Sequence, residues 1–523
     1  MQVQVQVRSV RRARLLQRAL PGRRRPDAPE ANLAESDSRS PFHGAWELLT
    51  LGGISLLTYL VFWLPPFWLW KHDPFGHGAL YLGTIMGWTW PAFWRYAAMC
   101  IVPFLLYLLA LRLVPNLPQR AALRVVVLIG VLAPLTLLLT YPALAADPFG
   151  WLMYGRTISE YGGNPYIDVA TAFPNDVYYP PVGADWRGMP APYGPLAIWL
   201  TAGVTAVAGD HPVAALLLLK LLMIGCFLAV GALIWRLART LHPDNPTHAT
   251  VALLAWSWNP MLITHIALDA HNDVLMLLPL LGALLAARSQ RWLLAFPLLS
   301  LAVLVKFIPL LLGPLFLLAA WPALRDRARR WQVLGGMAAG ALLVLLLYAP
   351  LWVGLDTLNS VRDQGELYTS SPASLLRQLL RNDWLRPLSL AAFGVGYLVV
   401  LRRVRGLEER CWWVLLLYLC TLSFWTKGWY IAWPLALGAA IGGWPLRTSI
   451  AASAGVFVQN GSAWAWEMDW FHLRTVHGFA RWDWILTLTI YLPWLLFPIL
   501  WLNRLRPGQR AAPSVSGPEP AAQ

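Results

Sequence analysis

The sequence predicts an all-α, polytopic membrane protein built as a helix bundle. Of its 523 residues, 58% are hydrophobic and only 13% are charged, about half the charged share of roughly 25% that is usual in soluble globular domains. The apolar residues also occur in blocks of about 20 residues, the length of a membrane-spanning helix. A membrane β-barrel would show short segments of alternating polarity instead. Composition therefore excludes a soluble enzyme, a disordered protein and a fibrous one.

Three regions are predicted along the chain. Residues 1–43 are rich in arginine and have no apolar pattern, which predicts a disordered basic cytoplasmic tail. Residues 44–505 form the membrane domain, with about fourteen transmembrane helices. Residues 506–523 are rich in proline, alanine and serine and predict a second disordered tail.

The apolar blocks give the predicted helices in chain order. They lie at residues 45–65, 92–113, 122–143, 212–235, 249–268, 272–287, 292–305, 308–321, 332–351, 386–402, 411–426, 429–445, 447–464 and 484–502. The blocks 292–305 and 308–321 are short, and Lys306 and Pro309 lie where they meet. We therefore expect two incomplete helices that turn at these residues.

Residues 191–209 decide the predicted topology, because they either span the membrane or lie on its outer surface. The surface position puts the arginine-rich segments 325–330 and 402–410 on the cytoplasmic side, as the positive-inside rule favours. Both termini are then cytoplasmic. The long loop 144–211, with its juxtamembrane helices, then lies on the extracytoplasmic face. The net charge of +15 is then explained by anionic membrane lipid rather than by nucleic acid.

Asp147 is the first candidate catalytic residue. It lies at the outer end of a predicted helix, where partial burial raises the pKa of a carboxyl group toward the range of a general base. The alternative is an acid that ends a helix and is solvated by lipid headgroups. The loop that follows interleaves tyrosines with carboxylates, a composition that suits sugar binding or an ordinary aromatic belt. Its candidate sugar-binding tyrosines are Tyr154, Tyr166 and Tyr193, and Tyr430 lies later in the chain.

A second cluster comprises His265, Asp269, His271 and Asp273. His265, Asp269 and Asp273 are four residues apart and would share one face if a single helix continued through them. This spacing could hold a metal ion. The segment lies at a predicted turn between two spans, however, where polar residues need no ligand, and the sequence favours that explanation. His271 and Asp273 are candidate substrate contacts, because ionisable groups at a membrane boundary are costly to retain.

Three cations are candidate phosphate ligands. Lys306 and Lys427 lie in otherwise apolar segments and need an anionic partner or a route to the interface. Arg156, in the first outer loop, is the third. Cations around one pocket would suit a phosphate that gains charge as its bond breaks.

Several familiar motifs are absent from the sequence. There is no Walker A loop, no GxGxxG segment after a strand, no HExxH and no CxxC pair. There is also no closely spaced Asp-x-Asp pair. We therefore predict neither a cofactor nor a bound metal.

Taken together, these residues resemble the GT-C superfamily of integral-membrane glycosyltransferases. More narrowly, the chain resembles the bacterial polyprenyl-phosphate-mannose-dependent mannosyltransferases, of family 87 and of the alpha-(1→6)-mannopyranosyltransferase type. The matching segments occur in order over about residues 140–440. They are Asp147, Tyr154-Gly155-Arg156, Gly163-Asn164-Pro165-Tyr166, Pro192-Tyr193-Gly194-Pro195-Leu196, Trp258-Asn259-Pro260, His271-Asn272-Asp273, Val305-Lys306-Phe307 and Gly428-Trp429-Tyr430-Ile431-Ala432-Trp433-Pro434. The family often has proline where this chain has Gly428.

The resemblance implies a reaction. A hexose, with mannose favoured, would move from a polyprenyl-phosphate donor to a glycan or glycolipid acceptor on the outer side of the membrane, with inversion. Asp147 would be the general base. Lys306, Lys427, Arg156 or His271 would stabilise the phosphate, and Asp273 would orient the sugar or acceptor.

Two other functions fit parts of the sequence. A lipid-linked sugar transporter or flippase would need polar residues throughout the depth of the bundle. A polysaccharide ligase or polymerase that uses lipid carriers would also place cations outside. Ionisable residues concentrated on one side of the membrane favour the transferase, and the sequence does not separate mannose from other lipid-linked sugars.

Overall fold

The structure is a computed structural model that describes residues 44–364, 367–380, 382–472 and 481–494. Both predicted tails, 1–43 and 506–523, lie outside the described residues. The described chain is helical, and within it extended backbone pairs only at two isolated bridges, Trp68 with Thr140 and Thr369 with Trp425. The predicted all-α class is confirmed for this part of the chain.

The α-helices are numbered here in chain order. They are α1 (Trp46–Thr58), α2 (Leu82–Met86), α3 (Trp90–Leu113), α4 (Gln119–Thr136), α5 (Asp147–Ser159), α6 (Pro195–Ala208), α7 (Pro212–Leu241), α8 (Pro246–Ser257), α9 (Pro260–Ile263), α10 (Asp273–Arg288), α11 (Trp292–Val303), α12 (Gly313–Arg325), α13 (Arg330–Tyr348), α14 (Asn359–Gln364), α15 (Pro372–Leu379), α16 (Asn382–Arg403), α17 (Leu407–Thr421), α18 (Ala432–Ile441), α19 (Gly443–Glu467) and α20 (481–494).

Short π and 3₁₀ segments extend or join these helices. The π segments are Tyr59–Trp63 and Thr264–Leu268, and the 3₁₀ segments are Leu69–Lys71, Val114–Asn116, Ala170–Ala172, Ala184–Trp186, Ile308–Leu312, Ala349–Leu351, Gly354–Leu358, Gly428–Ile431 and Trp470–His472.

Within the described residues, 7 helices are long and apolar enough to cross a membrane. Helices α8 and α9, with the π segment after α9, form an eighth candidate that is bent by 45°. The segments Pro195–Ala208, Trp292–Val303 and Gly428–Ile441 are apolar but shorter. These helices support a membrane protein, and the total of about fourteen spans stays a prediction.

Many helices begin where proline supplies the fixed φ angle of a first helical turn and has no N–H to leave unpaired. Pro148, Pro195, Pro212 and Pro260 occupy such positions. At α9 the Asn259 side chain also accepts hydrogen bonds from the backbone N–H groups of the first turn. This cap stops α8 and starts a new helix, which explains the bend inside predicted span 249–268.

The predicted break at Lys306 is present. Helix α11 ends at Val303, and helical backbone resumes in the 3₁₀ segment that begins at Ile308. The backbone N–H of Gly194 donates to the carbonyl of Val305 (3.0 Å), and that of Leu196 donates to the carbonyl of Leu304 (3.0 Å). The unpaired backbone of the break is therefore capped by the segment that leads into α6.

The two backbones lie so close together that this contact requires glycine at position 194. A Cβ added at Gly194 would overlap the backbone of Leu304. The Pro-Tyr-Gly-Pro segment is thus held against the Lys306 break, and Tyr193 is held beside it. Loop 144–211 is in this way tied to the bundle at the position of its candidate functional residues.

Candidate active site

One large cavity brings together most of the residues that the sequence singles out. Its volume is about 560 Å³, within the range of about 300–1,000 Å³ that is typical of small-molecule sites. Asp147, Lys306, Lys427, Tyr193 and Tyr430 line it, and so does Tyr154. The start of α5, the break before α12 and the segment before α18 each contribute to its wall.

Asp147 is the first residue of α5, so its carboxylate faces the positive end of the helix dipole. Its side chain is 21% exposed, on the side where it meets the cavity. Burial raises the pKa of Asp147 to about 6, Lys427 and Lys306 oppose that rise, and Asp273 adds to it. Such a carboxylate is ionised near neutral pH and still basic enough to accept a proton.

Lys306 is fixed by a buried carboxylate. Its Nζ lies 2.8 Å from Asp273 Oδ1, and the indole N–H of Trp433 donates to the same oxygen at 2.5 Å. The ammonium also lies 5.4 Å from the centre of the Tyr430 ring and 6.0 Å from that of Tyr193. These contacts hold one cation at a defined place in the cavity wall.

Lys427 has a different environment. Its Nζ lies over the Trp425 ring, 4.0 Å from the ring centre, and within the described part of the chain no carboxylate comes within 4 Å of it. Burial lowers the pKa of Lys427, and the charge of Asp147 partly restores it. Among the two cavity lysines, Lys427 is therefore the one whose charge is not already matched by an ion pair.

Aromatic rings form much of the remaining wall. Tyr430 and Trp433 stack with ring centres 4.5 Å apart, and Trp151 meets Tyr193 edge to face at 5.5 Å. Tyr166 does not line the cavity; its hydroxyl donates to the backbone carbonyl of Tyr193 at 2.8 Å. Tyr166 thus supports a cavity residue rather than contacting a ligand there.

Asp273 and His271 also lie behind the wall. Asp273 is fully buried and bonded to Lys306 and Trp433. His271 is fully buried and stacks on Trp429, whose ring centre is 3.7 Å away. Its Nδ1 lies 3.7 Å from Asp147 Oδ2. The structure therefore places both residues next to cavity side chains, not in the open space.

The structure does not bring Arg156 to the cavity. Its guanidinium pairs with Asp176 (3.0 Å), with Glu160 (3.1 Å) and with Asp210. Asp176 and Asp210 come from distant parts of loop 144–211, so Arg156 joins segments of that loop. A guanidinium shared by these carboxylates has little remaining charge for a phosphate, and we assign it to loop structure.

The structure also does not place His265, Asp269 and Asp273 on one helical face. The π segment ends at Leu268, and Ala270 has a φ of 56°, in the left-handed region. The chain turns sharply there, so Asp273 points to Lys306. His265, Asp269 and His271 instead form a group of possible metal ligands, with one donor atom of each within 4.8 Å of the others.

Sequence reasoning missed several cavity residues. They are polar or aromatic residues from segments that carry no motif, among them Tyr81, Thr369, Ser370, Gln459 and Asn460. Trp186 and Trp425, which both line the cavity, meet edge to face with ring centres 6.3 Å apart. Their only signal in the sequence is an excess of tryptophan and tyrosine near the predicted outer face.

Comparison with known proteins shows which families the sequence is similar to. Residues 67–323 match the model of the family described as alpha-(1→6)-mannopyranosyltransferase, N-terminal domain. This part of the chain is similar to the alpha-(1→6)-mannopyranosyltransferases. The matched residues include Asp147, the histidine cluster and Lys306, and end before Lys427.

Individual relatives agree with this relationship. The chain is 27% identical to alpha-(1→6)-mannopyranosyltransferase A of Mycobacterium tuberculosis over 86% of this chain and 89% of that protein. It is 31% identical to a probable alpha-(1→6)-mannopyranosyltransferase of Mycolicibacterium smegmatis over 40% of this chain and 35% of that protein. It is also 31% identical to alpha-(1→6)-mannopyranosyltransferase A of Corynebacterium glutamicum, over 32% of this chain and 34% of that protein. The names of these relatives support a mannosyltransferase enzyme.

Proposed function

We propose that this protein transfers a mannosyl group from a polyprenyl-phosphate donor to a glycan or glycolipid acceptor on the extracytoplasmic face of the membrane. One observation carries the proposal: a basic carboxylate, Asp147, and two lysines, Lys306 and Lys427, line the same aromatic cavity. A general base and phosphate-binding cations are the two chemical needs of a transfer from a sugar phosphate.

The reaction is a single displacement at the anomeric carbon. Asp147 accepts the proton of the acceptor hydroxyl as that oxygen bonds to the anomeric carbon. The bond from that carbon to the phosphate oxygen breaks, and its electron pair leaves on the lipid phosphate. Attack opposite the leaving group inverts the anomeric configuration.

The two lysines stabilise the charge that develops on the phosphate. Lys427 supplies the larger net charge, because Lys306 is already paired with Asp273 at 2.8 Å. Lys306 in turn has a fixed position, set by Asp273 and by the surrounding aromatic rings. Fixed charges need no reorganisation as the bond breaks, which is the source of their effect on rate.

Aromatic faces and hydroxyls of the wall suit the sugar itself. Tyr193 and Tyr430 flank Lys306, which would place a pyranose ring next to the phosphate that carries it. Trp186 and Trp425 lie farther along the cavity, on the side of Lys427, where an acceptor sugar would stack. The gathering of the candidate base and both lysines at one cavity favours an enzyme over a transporter, which would need polar residues throughout the depth of the bundle.

The test is mannosyl transfer by the full-length protein in lipid nanodiscs. Polyprenyl-phosphate-mannose is supplied with a panel of oligomannosides and glycolipids, and GDP-mannose is the parallel donor. We expect transfer from the lipid donor only, with a product of inverted configuration. The control variant Asp244→Asn, at an exposed position, should behave as wild type.

Two results would contradict the proposal. Equal or faster transfer from GDP-mannose would contradict a polyprenyl phosphate as the donor. Movement of intact polyprenyl-phosphate-mannose across the bilayer, without transfer to any acceptor of the panel, would favour a flippase.

A further inference from the structure

Three buried side chains next to the cavity point toward one another without bonding. His265, Asp269 and His271 are each no more than 1% exposed. His265 Nδ1 lies 3.7 Å from Asp269 Oδ2, and His271 Nε2 lies 4.0 Å from the same oxygen. All three facing atoms lack a hydrogen-bond partner among the described residues.

These separations are too long for hydrogen bonds, which join nitrogen and oxygen at about 2.7–3.2 Å. They do match the spacing of atoms around a common ion. Two ligands that each lie about 2.0–2.2 Å from a zinc ion are roughly 3–4 Å apart. Buried polar atoms left unpaired are costly, and a shared ion removes that cost.

The outward-facing atoms of the same side chains do have neighbours. Asp269 Oδ1 accepts from the backbone N–H of Leu144 at 3.1 Å. His265 Nε2 lies 3.3 Å from the side-chain amide of Asn460, and His271 Nδ1 lies 3.7 Å from Asp147 Oδ2. Asp269 is thus oriented on its outer side by a backbone hydrogen bond, while the inner atoms of all three side chains are left unpaired, a cost that a shared ion would remove.

Lys220 does not supply the missing partner. Its Nζ donates to the carbonyls of Leu137 (2.9 Å) and Thr140 (2.5 Å) and to the hydroxyl of Thr140 (3.1 Å). These bonds use its three N–H groups. Oδ2 of Asp269 is thus left facing the two imidazoles.

The local backbone conformation brings the side chains of His265, Asp269 and His271 together. A π segment carries His265, the Asp269 N–H bonds back to Thr264, and the His271 N–H bonds back to His265. Ala270, between the two ligands, is held at a φ of 56°. Such left-handed, non-glycine residues are costly and persist mainly at functional sites.

We propose that His265, Asp269 and His271 bind a divalent transition-metal ion of the zinc class, through His265 Nδ1, Asp269 Oδ2 and His271 Nε2. Two imidazoles and one carboxylate are a ligand set that zinc prefers, and a water molecule would complete a tetrahedron. This proposal replaces the sequence expectation of no metal. The cluster does not line the cavity, so phosphate binding by the lysines is unaffected.

One consequence rests on the proposed function as well. With Nε2 of His271 on an ion, the proton of that imidazole is on Nδ1 and faces Asp147 Oδ2. The ion would thereby orient His271 toward the general base and hold its tautomer. The metal site itself does not depend on which reaction the cavity performs.

The test measures metal directly on the full-length protein in detergent. The protein is stripped with chelator, reloaded with Zn²⁺ or Co²⁺ and dialysed, and the bound ion is counted by elemental analysis. Wild type should retain one ion per chain. Asp269→Asn and His265→Asn should bind at least about 10-fold more weakly. His242→Asn removes a histidine that bonds elsewhere, to the Ile441 carbonyl, and should keep the ion.

Wild type that retains no ion would overturn the site, and so would ligand variants that bind as wild type does. The visible spectrum of Co²⁺-loaded wild type decides the matter even if a variant fails to fold. It should show intense bands of low-coordinate Co²⁺ with nitrogen ligands, and a spectrum like that of the aqueous ion would contradict the proposal. Because mannosyl transfer is not measured, failure here leaves the proposed reaction standing.

Discussion

At the scale of single residues, the ion pair with Asp273 fixes the position of Lys306, one of the two lysines that line the cavity. Asp273 is fully buried, so removing it leaves a nearly buried ammonium without a partner. Asp273→Ala should lower the free energy of unfolding by about 3–5 kcal/mol. Asp273→Asn should cost less, because its carbonyl can still accept from Lys306 and Trp433. Denaturant unfolding in mixed micelles measures both.

A double-mutant cycle supplies the control for that pair. In a Lys306→Met background, Asp273→Ala should cost less than in wild type, by about 0.5–3 kcal/mol. An identical cost in the two backgrounds would show that the carboxylate does not act through Lys306.

Lys427 has no such partner among the described carboxylates, so its charge is available to the donor phosphate. Lys427→Met should lower kcat/KM for the lipid donor by about 10²-fold. Lys427→Arg should recover part of the loss. Lys71→Met, at an exposed lysine, is the matched control and should leave kcat/KM unchanged. Wild-type kinetics of the Lys427→Met enzyme would show that Lys427 does not bind the donor phosphate.

The candidate residues were only partly assignable from the sequence. Asp147, Lys306 and Lys427 stand out because charge in an apolar segment is unusual, and the structure places all three at one cavity. Arg156 is also a cation, but its guanidinium forms ion pairs with Asp176 and Asp210. Those pairs depend on how the loop folds back, which periodicity and spacing do not reveal.

At the scale of elements, the contact between loop 144–211 and the Lys306 break requires a glycine at position 194. Gly194→Ala would drive a methyl group into the backbone of Leu304. We expect a loss of about 1–3 kcal/mol in stability and reduced transfer, because Tyr193 must move. Thermal unfolding and the transfer assay measure these effects.

Gly203→Ala is the control, since a Cβ there meets no atom within 4 Å. It lies inside α6, where alanine is the better helix former by up to about 1 kcal/mol. Equal behaviour of the two variants would show that the close approach at Gly194 does not matter.

Element boundaries show what the sequence can and cannot predict. The break at Lys306 was predicted because a lysine and a proline interrupt one apolar run. The span predicted at 122–143 instead ends as helix α4 at Thr136, and Lys220 donates to the carbonyls of Leu137 and Thr140 just beyond that end. That bond comes from a distant helix and leaves no local signal.

At the scale of the whole molecule, the predicted topology gives a direct experiment. The first outer loop should face outward, and the segment between α12 and α13 should face the cytoplasm. An impermeant maleimide should label Ala172→Cys in intact spheroplasts, and should label Arg327→Cys only after permeabilisation. Both positions are exposed. Wild type measures the background from native cysteines, and the reverse pattern would refute the topology.

The helical membrane class follows from composition alone, because apolar blocks of this length have few other outcomes. The arrangement of those helices around a cavity does not follow from composition, because it depends on contacts such as that of Gly194 with Leu304. Only the family resemblance connected the scattered motifs before the structure placed them together.

The central claim is that Asp147 is the general base of a transfer at this cavity. The most direct measurement compares Asp147→Asn with wild type for both donor binding and mannosyl transfer, with Asp244→Asn as control. We predict that Asp147→Asn binds polyprenyl-phosphate-mannose about as well as wild type and loses about 10²–10⁴-fold in kcat. Transfer at the wild-type rate by a folded Asp147→Asn protein would contradict the claim.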